Sequence, residues 1–114
     1  MLNLNHKKLN VWIKSIELVK EIYEITDKLP TDEKYGLISQ TRRASISVAS
    51  NISEGASRKS KTERSRFYEI ARSSLVELDT QIELCLILRY LDNEDIRTLA
   101  IKSNEVFAML SAMK

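Results

Sequence analysis

The sequence predicts an all-α protein, an antiparallel up-down-up-down four-helix bundle. Its 114 residues include only two glycines and one proline, so chain reversals are few and the elements between them are long. Apolar residues, 43% of the chain, recur at helical spacing, and no segment alternates like a half-buried strand. Short connections make consecutive helices antiparallel. We expect one domain over residues 1–114, with helices at about 9–28, 33–54, 61–91 and 93–113.

The first helix has an unusually wide apolar face. Its main stripe is predicted at Leu9, Trp12, Ile13, Ile16, Val19, Ile22 and Tyr23. A second row repeats every seven residues, at Val11, Leu18 and Ile25, and widens the face to one side. A face that wide contacts more than one neighbour. Pro30 ends the helix, because the residue before a proline is pushed out of the helical region.

The second helix is expected to start after Thr31 or Asp32, either of which can cap it. Its inward face is predicted at Ile38, Ser45, Val48, Ala49 and Ile52, where small residues allow a neighbouring helix to approach closely. Gly55 is the expected terminator, since glycine accepts the left-handed conformation without a steric penalty.

The third helix starts at a capping box, Ser60 to Glu63, and is expected to run to Leu91. Its inward stripe is Phe67, Ile70, Ala71, Leu75, Leu78, Ile82 and Cys85. From Ile82 onward it is apolar almost all round, so it should be covered on every side. Contact between subunits is one explanation, and a well-buried bundle end with Tyr90 as its lid is the other.

The fourth helix is expected to be capped by Asp92 and Asn93, with Asp95 available for a second capping bond. Its inward stripe is predicted at Ile96, Leu99, Ala100, Ser103, Val106, Phe107, Leu110 and Met113.

Charge is unevenly distributed along the chain, although the formal net charge is only +2. Residues 42–72 carry eight cations against three carboxylates, and residues 73–105 carry three cations against seven carboxylates. Such a molecule can attract a polyanion, or its own copies head to tail. The lone cysteine rules out an intrachain disulfide, which suits the cytoplasm, and no apolar run is long enough for a membrane helix.

Catalytic and metal-binding patterns are missing from the sequence. The one histidine, His6, lies near the amino terminus, which excludes the Glu-x-x-His pairs of di-iron bundles. Cys85 has no partner base and lies among leucines, so burial is the expected role of its thiol. We therefore expect no enzyme activity, no cofactor and no metal.

A basic run at the start of the third helix is the best candidate for nucleic-acid binding. Its five cations are Arg58, Lys59, Lys61, Arg64 and Arg66. Helix starts favour anions, and several copies in a ring would multiply the phosphate contacts. No aromatic residue is interleaved, so binding should be directed at the backbone and weakly sequence-specific. The alternative is a solvated start of a helix.

A polar stripe on the second helix is the other candidate surface. Gln40, Arg43, Ser47, Asn51, Glu54 and Arg58 recur every three or four residues and share one face. Ser74, Glu77 and Gln81 offer partners on the third helix, and Arg43 with Glu77 would be an ion pair. We expect an interface or polar network at Gln40, Arg43, Asn51, Glu54, Glu77 and Gln81; the alternative is a solvated helix face.

Several motifs carry a resemblance to a known family. They are Leu9-Asn10-Val11-Trp12, Tyr35-Gly36-Leu37, Arg42-Arg43-Ala44, Ser50-Asn51-Ile52, Glu54-Gly55 and Glu77-Leu78. Through them the chain resembles the four-helix-bundle proteins associated with 23S rRNA intervening sequences, and is similar to accessory proteins of diversity-generating retroelements. The resemblance implies a homopentameric ring and, in the retroelement branch, binding to nucleic acid and to a reverse transcriptase.

Two functional hypotheses follow. The first is a non-enzymatic, homo-oligomeric, pentameric bundle protein that binds RNA, DNA or a nucleic-acid enzyme such as a reverse transcriptase through its basic surface. The second is a protein-only scaffold or adaptor that does not bind nucleic acid. No membrane partner is expected under either hypothesis.

Overall fold

Four α-helices form the computed structural model, which describes residues 1–113. They are α1 (Asn10–Thr26), α2 (Ser39–Ser57), α3 (Lys61–Ile87) and α4 (Arg97–Ala112). Short 3₁₀ turns at Asn5–Lys8 and Thr31–Glu33 precede α1 and α2, and a turn at Lys34–Ile38, kinked at Gly36, leads directly into α2. Residues 1–113 contain no β-strand, which confirms the predicted all-α class.

The helices alternate in direction, as an up-down-up-down bundle requires. Trp12 at the start of α1 donates a hydrogen bond from Nε1 to Ser53 Oγ at the end of α2, over 3.0 Å. Lys28, just after the end of α1, pairs with Asp95, just before the start of α4, over 2.6 Å. Each helix packs on the next, and α1 also packs on α4. The helices α1 and α3 therefore lie at opposite corners of the bundle.

The buried face of α1 differs from the predicted main stripe. The heptad row faces the core, together with Ile22, whereas Leu9, Ile13, Ile16 and Tyr23 are exposed. The buried side also carries Ser15 and Glu21, which look unsuitable for a core. Ser15 Oγ donates to Trp12 O over 2.6 Å, and Glu21 accepts from Thr98 and pairs with Lys102 over 3.1 Å. An acceptor within α1 for Ser15 and partners on α4 for Glu21 thus allow this polar row to be buried, and an apolar row is left exposed.

The start of α2 is also different from the prediction. Neither Thr31 nor Asp32 caps the helix; Glu33 accepts a hydrogen bond from the Leu37 amide over 3.1 Å. Gly36 has a non-helical backbone, with φ −106° and ψ −115°, and α2 begins only at Ser39. A Cβ at Gly36 would collide with the Glu33 carboxylate, so this glycine leaves room for the capping side chain.

Gly55 does not end α2, which continues to Ser57, and the described glycines have no positive φ. The prediction of a left-handed terminator was therefore wrong. A Cβ at Gly55 would lie 2.7 Å from Tyr68 Cε1 on α3, well inside van der Waals contact. The glycine is needed because the Tyr68 ring packs directly against the α2 backbone.

The connection from α3 to α4 is longer than expected. The amide of Glu63 donates to Ser60 Oγ over 3.0 Å, which confirms Ser60 as the cap of α3. At its other end α3 stops at Ile87, because Arg89 adopts the left-handed conformation with φ 63°. Asp92 and Asp95 each accept a hydrogen bond from the other's amide. They stabilise a turn, so α4 begins at Arg97 and not at residue 93, and the prediction that Asp92 and Asn93 cap it was wrong.

The apolar end of α3 is covered on one side only. Cys85 and Leu91 belong to the core, while Leu84, Ile87 and Leu88 are 42%, 71% and 50% exposed. Full burial within one chain, the second explanation offered by the sequence, is therefore wrong for these three side chains. Coverage by another copy stays a prediction. None of the helices described between residues 1 and 113 is long and apolar enough to cross a membrane.

Candidate nucleic-acid interface

The basic run occupies the loop after α2 and the first turns of α3. Arg58, Lys59, Lys61 and Arg66 are exposed, and Arg64 is half-buried. The five cations are brought together because they are nearly contiguous in the chain, but they are not equivalent.

Two of these cations are used to hold the loop. Arg58 pairs with Glu54 over 3.2 Å, and its guanidinium lies 4.8 Å from the centre of the Phe67 ring. Arg64 donates from Nη1 to the carbonyl oxygens of Arg58 and Lys59, over 3.2 and 2.7 Å. These contacts satisfy carbonyl groups that the turn between two helices leaves without helical partners. Both side chains therefore have a structural role.

The other three cations are open to solvent. Lys59, Lys61 and Arg66 make no side-chain hydrogen bond or ion pair with any residue in 1–113. We call these three residues the open cations. A cation without an acidic partner keeps its full charge for an external anion.

The polar stripe forms a seam between α2 and α3 through Ser47, a member of the stripe, and Ser74, one of the partners expected on the third helix. Ser47 Oγ and Ser74 Oγ lie 2.8 Å apart across the two helices. Asn51 Nδ2 donates to the carbonyl oxygen of Ser47 over 2.8 Å and to its hydroxyl over 3.1 Å. Of the predicted network residues, Asn51 supports this contact through Ser47 of its own helix but makes no hydrogen bond to α3 among residues 1–113.

The remaining predicted members do not connect α2 to α3 within residues 1–113. Glu77 accepts from Gln81 over 3.3 Å on its own helix, and Glu54 is occupied by Arg58. Gln40 and Arg43 are exposed, and the Arg43–Glu77 ion pair does not form among the described residues. Both acids have a partner four residues further along the chain. Because residues at this spacing are neighbours on the surface of an α-helix, each acid bonds there and not across to the other helix.

Gln81 leaves one polar atom unsatisfied. Its Oε1 is buried and receives no hydrogen bond from residues 1–113. A buried acceptor without a donor costs about 1–3 kcal/mol.

A second cationic area, which the sequence reasoning missed, lies where α1 ends and α2 begins. The Arg42 guanidinium lies 4.4 Å from the centre of the Tyr23 ring and donates to Thr26 Oγ1 over 2.9 Å. Lys34 Nζ lies 5.5 Å from the centre of the Tyr35 ring. The sequence signal for this area was two tyrosines near three cations. It was missed because residues 23 and 42 lie far apart in the chain.

Groups suited to catalysis are not assembled in the described residues. Cys85 is fully buried, and burial raises the pKa of its thiol, which disfavours the nucleophilic thiolate. His6 packs edge-on against Trp12, with ring centres 5.5 Å apart. A groove of about 440 Å³ between α3 and α4 is mostly apolar, with Asp79 and Glu83 at its lining. Residues 1–113 contain no cluster of three potential metal ligands among histidine, cysteine and acidic side chains.

Comparisons with known proteins agree with the architecture. A crystal structure of a protein of unknown function from the S23 ribosomal protein family of Bacteroides thetaiotaomicron superposes with a TM-score of 0.82. It is 24% identical, and the match covers 91% of this chain and 98% of that one, which establishes a shared fold. No curated protein matches the chain. The family model described as 23S rRNA-intervening sequence protein matches residues 7–112, nearly the whole bundle, and the chain therefore belongs to that family.

Proposed function

We propose that this protein is a non-enzymatic homo-oligomer that binds nucleic acid through the basic start of α3. The observation that carries the proposal is the set of three open cations on a loop held by Arg58 and Arg64. Because the loop is already held in place and the open cations are unpaired, this surface can contact phosphates without first breaking an ion pair. The expected ligand is RNA or DNA recognised through its backbone.

Assembly would turn a weak site into a strong one. Three cations per copy neutralise few phosphates, but several copies on one polyanion act as linked sites. The exposed end of α3, with Ile87 and Leu88, supplies apolar surface for contact between copies. The family resemblance supports a pentameric ring, and it implies a nucleic-acid enzyme such as a reverse transcriptase as an additional partner. The cytoplasm is the expected location.

The arrangement of acidic groups supports a role without catalysis. Glu54 binds Arg58 and Glu77 binds Gln81, so both carboxylates already have partners on their own chain segments. A general acid or base needs to reach a proton on a bound substrate.

The test is a triple substitution of the open cations, Lys59→Ala, Lys61→Ala and Arg66→Ala. We expect it to weaken RNA and DNA binding strongly, and to reduce the dependence of log Kd on log salt by up to about 2–3. A matched control is Lys8→Ala, Lys20→Ala and Arg89→Ala, which removes the same charge from three other exposed positions. Gel shifts at several salt concentrations measure both. Equal binding by the two variants would refute the site.

A protein-only scaffold is the second candidate function. It is favoured by the exposed apolar side chains of α3, which suit a protein partner as well as another copy. Gel shifts that show no retention of RNA or DNA by the native protein at low salt would select it. In that case the triple variant should leave partner binding unchanged.

A further inference from the structure

Tyr35 is displayed to solvent by an unusual piece of backbone. It lies in the turn Lys34–Ile38 before α2, directly ahead of the kink at Gly36, and its side chain is 85% exposed. An aromatic side chain left in water by such a turn has no stabilising role in the bundle, so its placement needs another explanation.

The turn is anchored at its base. Glu33 accepts one hydrogen bond from the Leu37 amide over 3.1 Å and another from Tyr90 OH over 3.0 Å. The hydrogen bond to the carboxylate also raises the pKa of the Tyr90 hydroxyl. Glu33 thereby links the turn to the far end of α3, so the platform that carries Tyr35 is held from two sides.

The surroundings of Tyr35 are positively charged. It lines an open concavity of about 500 Å³ together with Tyr23, three cations and an apolar floor of Ile38 and Ile46. The cations are Lys34, Arg42 and Arg43, and the lining contains no acidic side chain.

The three cations differ in availability. Arg42 is fixed, since it stacks on Tyr23 and pairs with the exposed carboxylate of Asp27 over 3.0 Å. Arg43 makes no hydrogen bond or ion pair with residues 1–113, and Lys34 has only the adjacent Tyr35 ring. The concavity therefore offers an exposed ring, two available cations and one oriented guanidinium.

We propose that this concavity is a stacking subsite for single-stranded nucleic acid, in which a base lies on Tyr35 and adjacent phosphates meet Lys34 and Arg43. Aromatic rings beside cations are the arrangement with which proteins hold unpaired strands, because every base has a face that stacks. A duplex hides the faces of its bases, so the subsite distinguishes single strands from duplexes. The proposal rests on nucleic acid being the ligand of the protein, but it uses different residues from the open cations.

The experiment compares Tyr35→Ala with Tyr35→Phe, which keeps the ring. The probes are a 15-nucleotide oligouridylate, a duplex RNA of equal length, and a DNA strand of equal length that lacks its bases. We expect Tyr35→Ala to weaken binding of oligouridylate by about 5- to 150-fold, the range of one lost stacking contact. Tyr35→Phe should bind like the native protein, and binding of the two control probes should not change. Arg43→Ala should reduce the salt dependence on the single strand by about 0.7.

Each outcome decides the matter. Unchanged oligouridylate affinity in Tyr35→Ala refutes the subsite, as does an equal loss on the strand without bases. A change of mass in solution on Tyr35→Ala would show instead that the ring is a contact between copies. If only the triple open-cation variant loses affinity, the subsite fails and the proposed function stands. If the native protein binds none of the probes, both fail.

Discussion

Replacing Gly55 with alanine tests why this glycine is needed. In an open helix interior, alanine would stabilise the protein by about 0.8–1.0 kcal/mol relative to glycine. Here the new Cβ would lie 2.7 Å from Tyr68 Cε1 and 3.1 Å from Phe67 Cβ, so the ring or the helices must move. Overpacking of this kind costs about 1–3 kcal/mol. We expect Gly55→Ala to lower the free energy of unfolding by about 0–2 kcal/mol in urea titrations at constant protein concentration.

The same substitution made in a Tyr68→Val protein distinguishes this close-approach explanation from a left-handed helix cap. Tyr68→Val removes the ring atoms nearest to Gly55, so Gly55→Ala should there become stabilising by up to about 1 kcal/mol. If Gly55 had a left-handed backbone, alanine would cost about the same with either residue at position 68. Equal destabilisation in the two backgrounds would therefore refute the close-approach argument. Ser50→Ala, at an exposed position of α2, is the control for the gain in helix propensity alone.

Two further predictions concern ionisable groups. Cys85 is fully buried and burial raises the pKa of its thiol, so a thiol reagent should label it only when the protein unfolds; rapid native labelling would contradict its burial. The hydrogen bond from Lys28 to Asp95 holds the pKa of Asp95 below its usual range. The ion pair therefore stabilises the folded protein at pH values above the unfolded pKa of about 3.9. This stabilisation disappears as pH falls through the lower pKa of the folded state. Asp95→Asn should lower Tm at neutral pH, and its difference from the native protein should shrink on acidification; a difference that does not vary with pH would count against the ion pair.

Features that depend on neighbouring residues were predictable from the sequence. The cap at Ser60 needs only an amide three residues ahead, and the helix that follows starts where the capping box places it. The bundle itself follows from four apolar rows and short connections. The boundaries were predicted less well, because Gly36 and Arg89 adopt backbone conformations that the residue types alone do not dictate.

Features that depend on distant partners were not predictable. The buried row of α1 was missed because Glu21 is made tolerable by Lys102 and Thr98, about eighty positions along the chain. The basic run was found because it is contiguous, yet the sequence could not show that Arg64 is occupied by carbonyl oxygens. The Tyr35 concavity was missed for the converse reason, since its residues come from two helices and a turn.

Exposed apolar side chains on two different helices bear on the kind of assembly. One such area is the row Leu9, Ile13 and Ile16 on α1, and another is the end of α3 with Ile87 and Leu88. The helices α1 and α3 lie at opposite corners of the bundle, so the two areas face different directions. A two-fold dimer needs one self-complementary area, whereas a head-to-tail ring needs two different areas on each copy. Under the proposed function, we therefore propose a head-to-tail ring of copies and not a two-fold dimer.

Mixing two variants tests this directly. Ile16→Lys should block the α1 area and Ile87→Lys the α3 area, and each protein alone should be a monomer in light-scattering measurements of mass. In a mixture, the first variant still has an intact α3 area and the second an intact α1 area. If α1 of one copy contacts α3 of the next, the mixture forms one-to-one dimers and stops there, because every remaining surface is blocked. A mixture that stays monomeric would show that the areas do not bind each other, and full-sized assemblies of either variant alone would show that its area is not part of the interface.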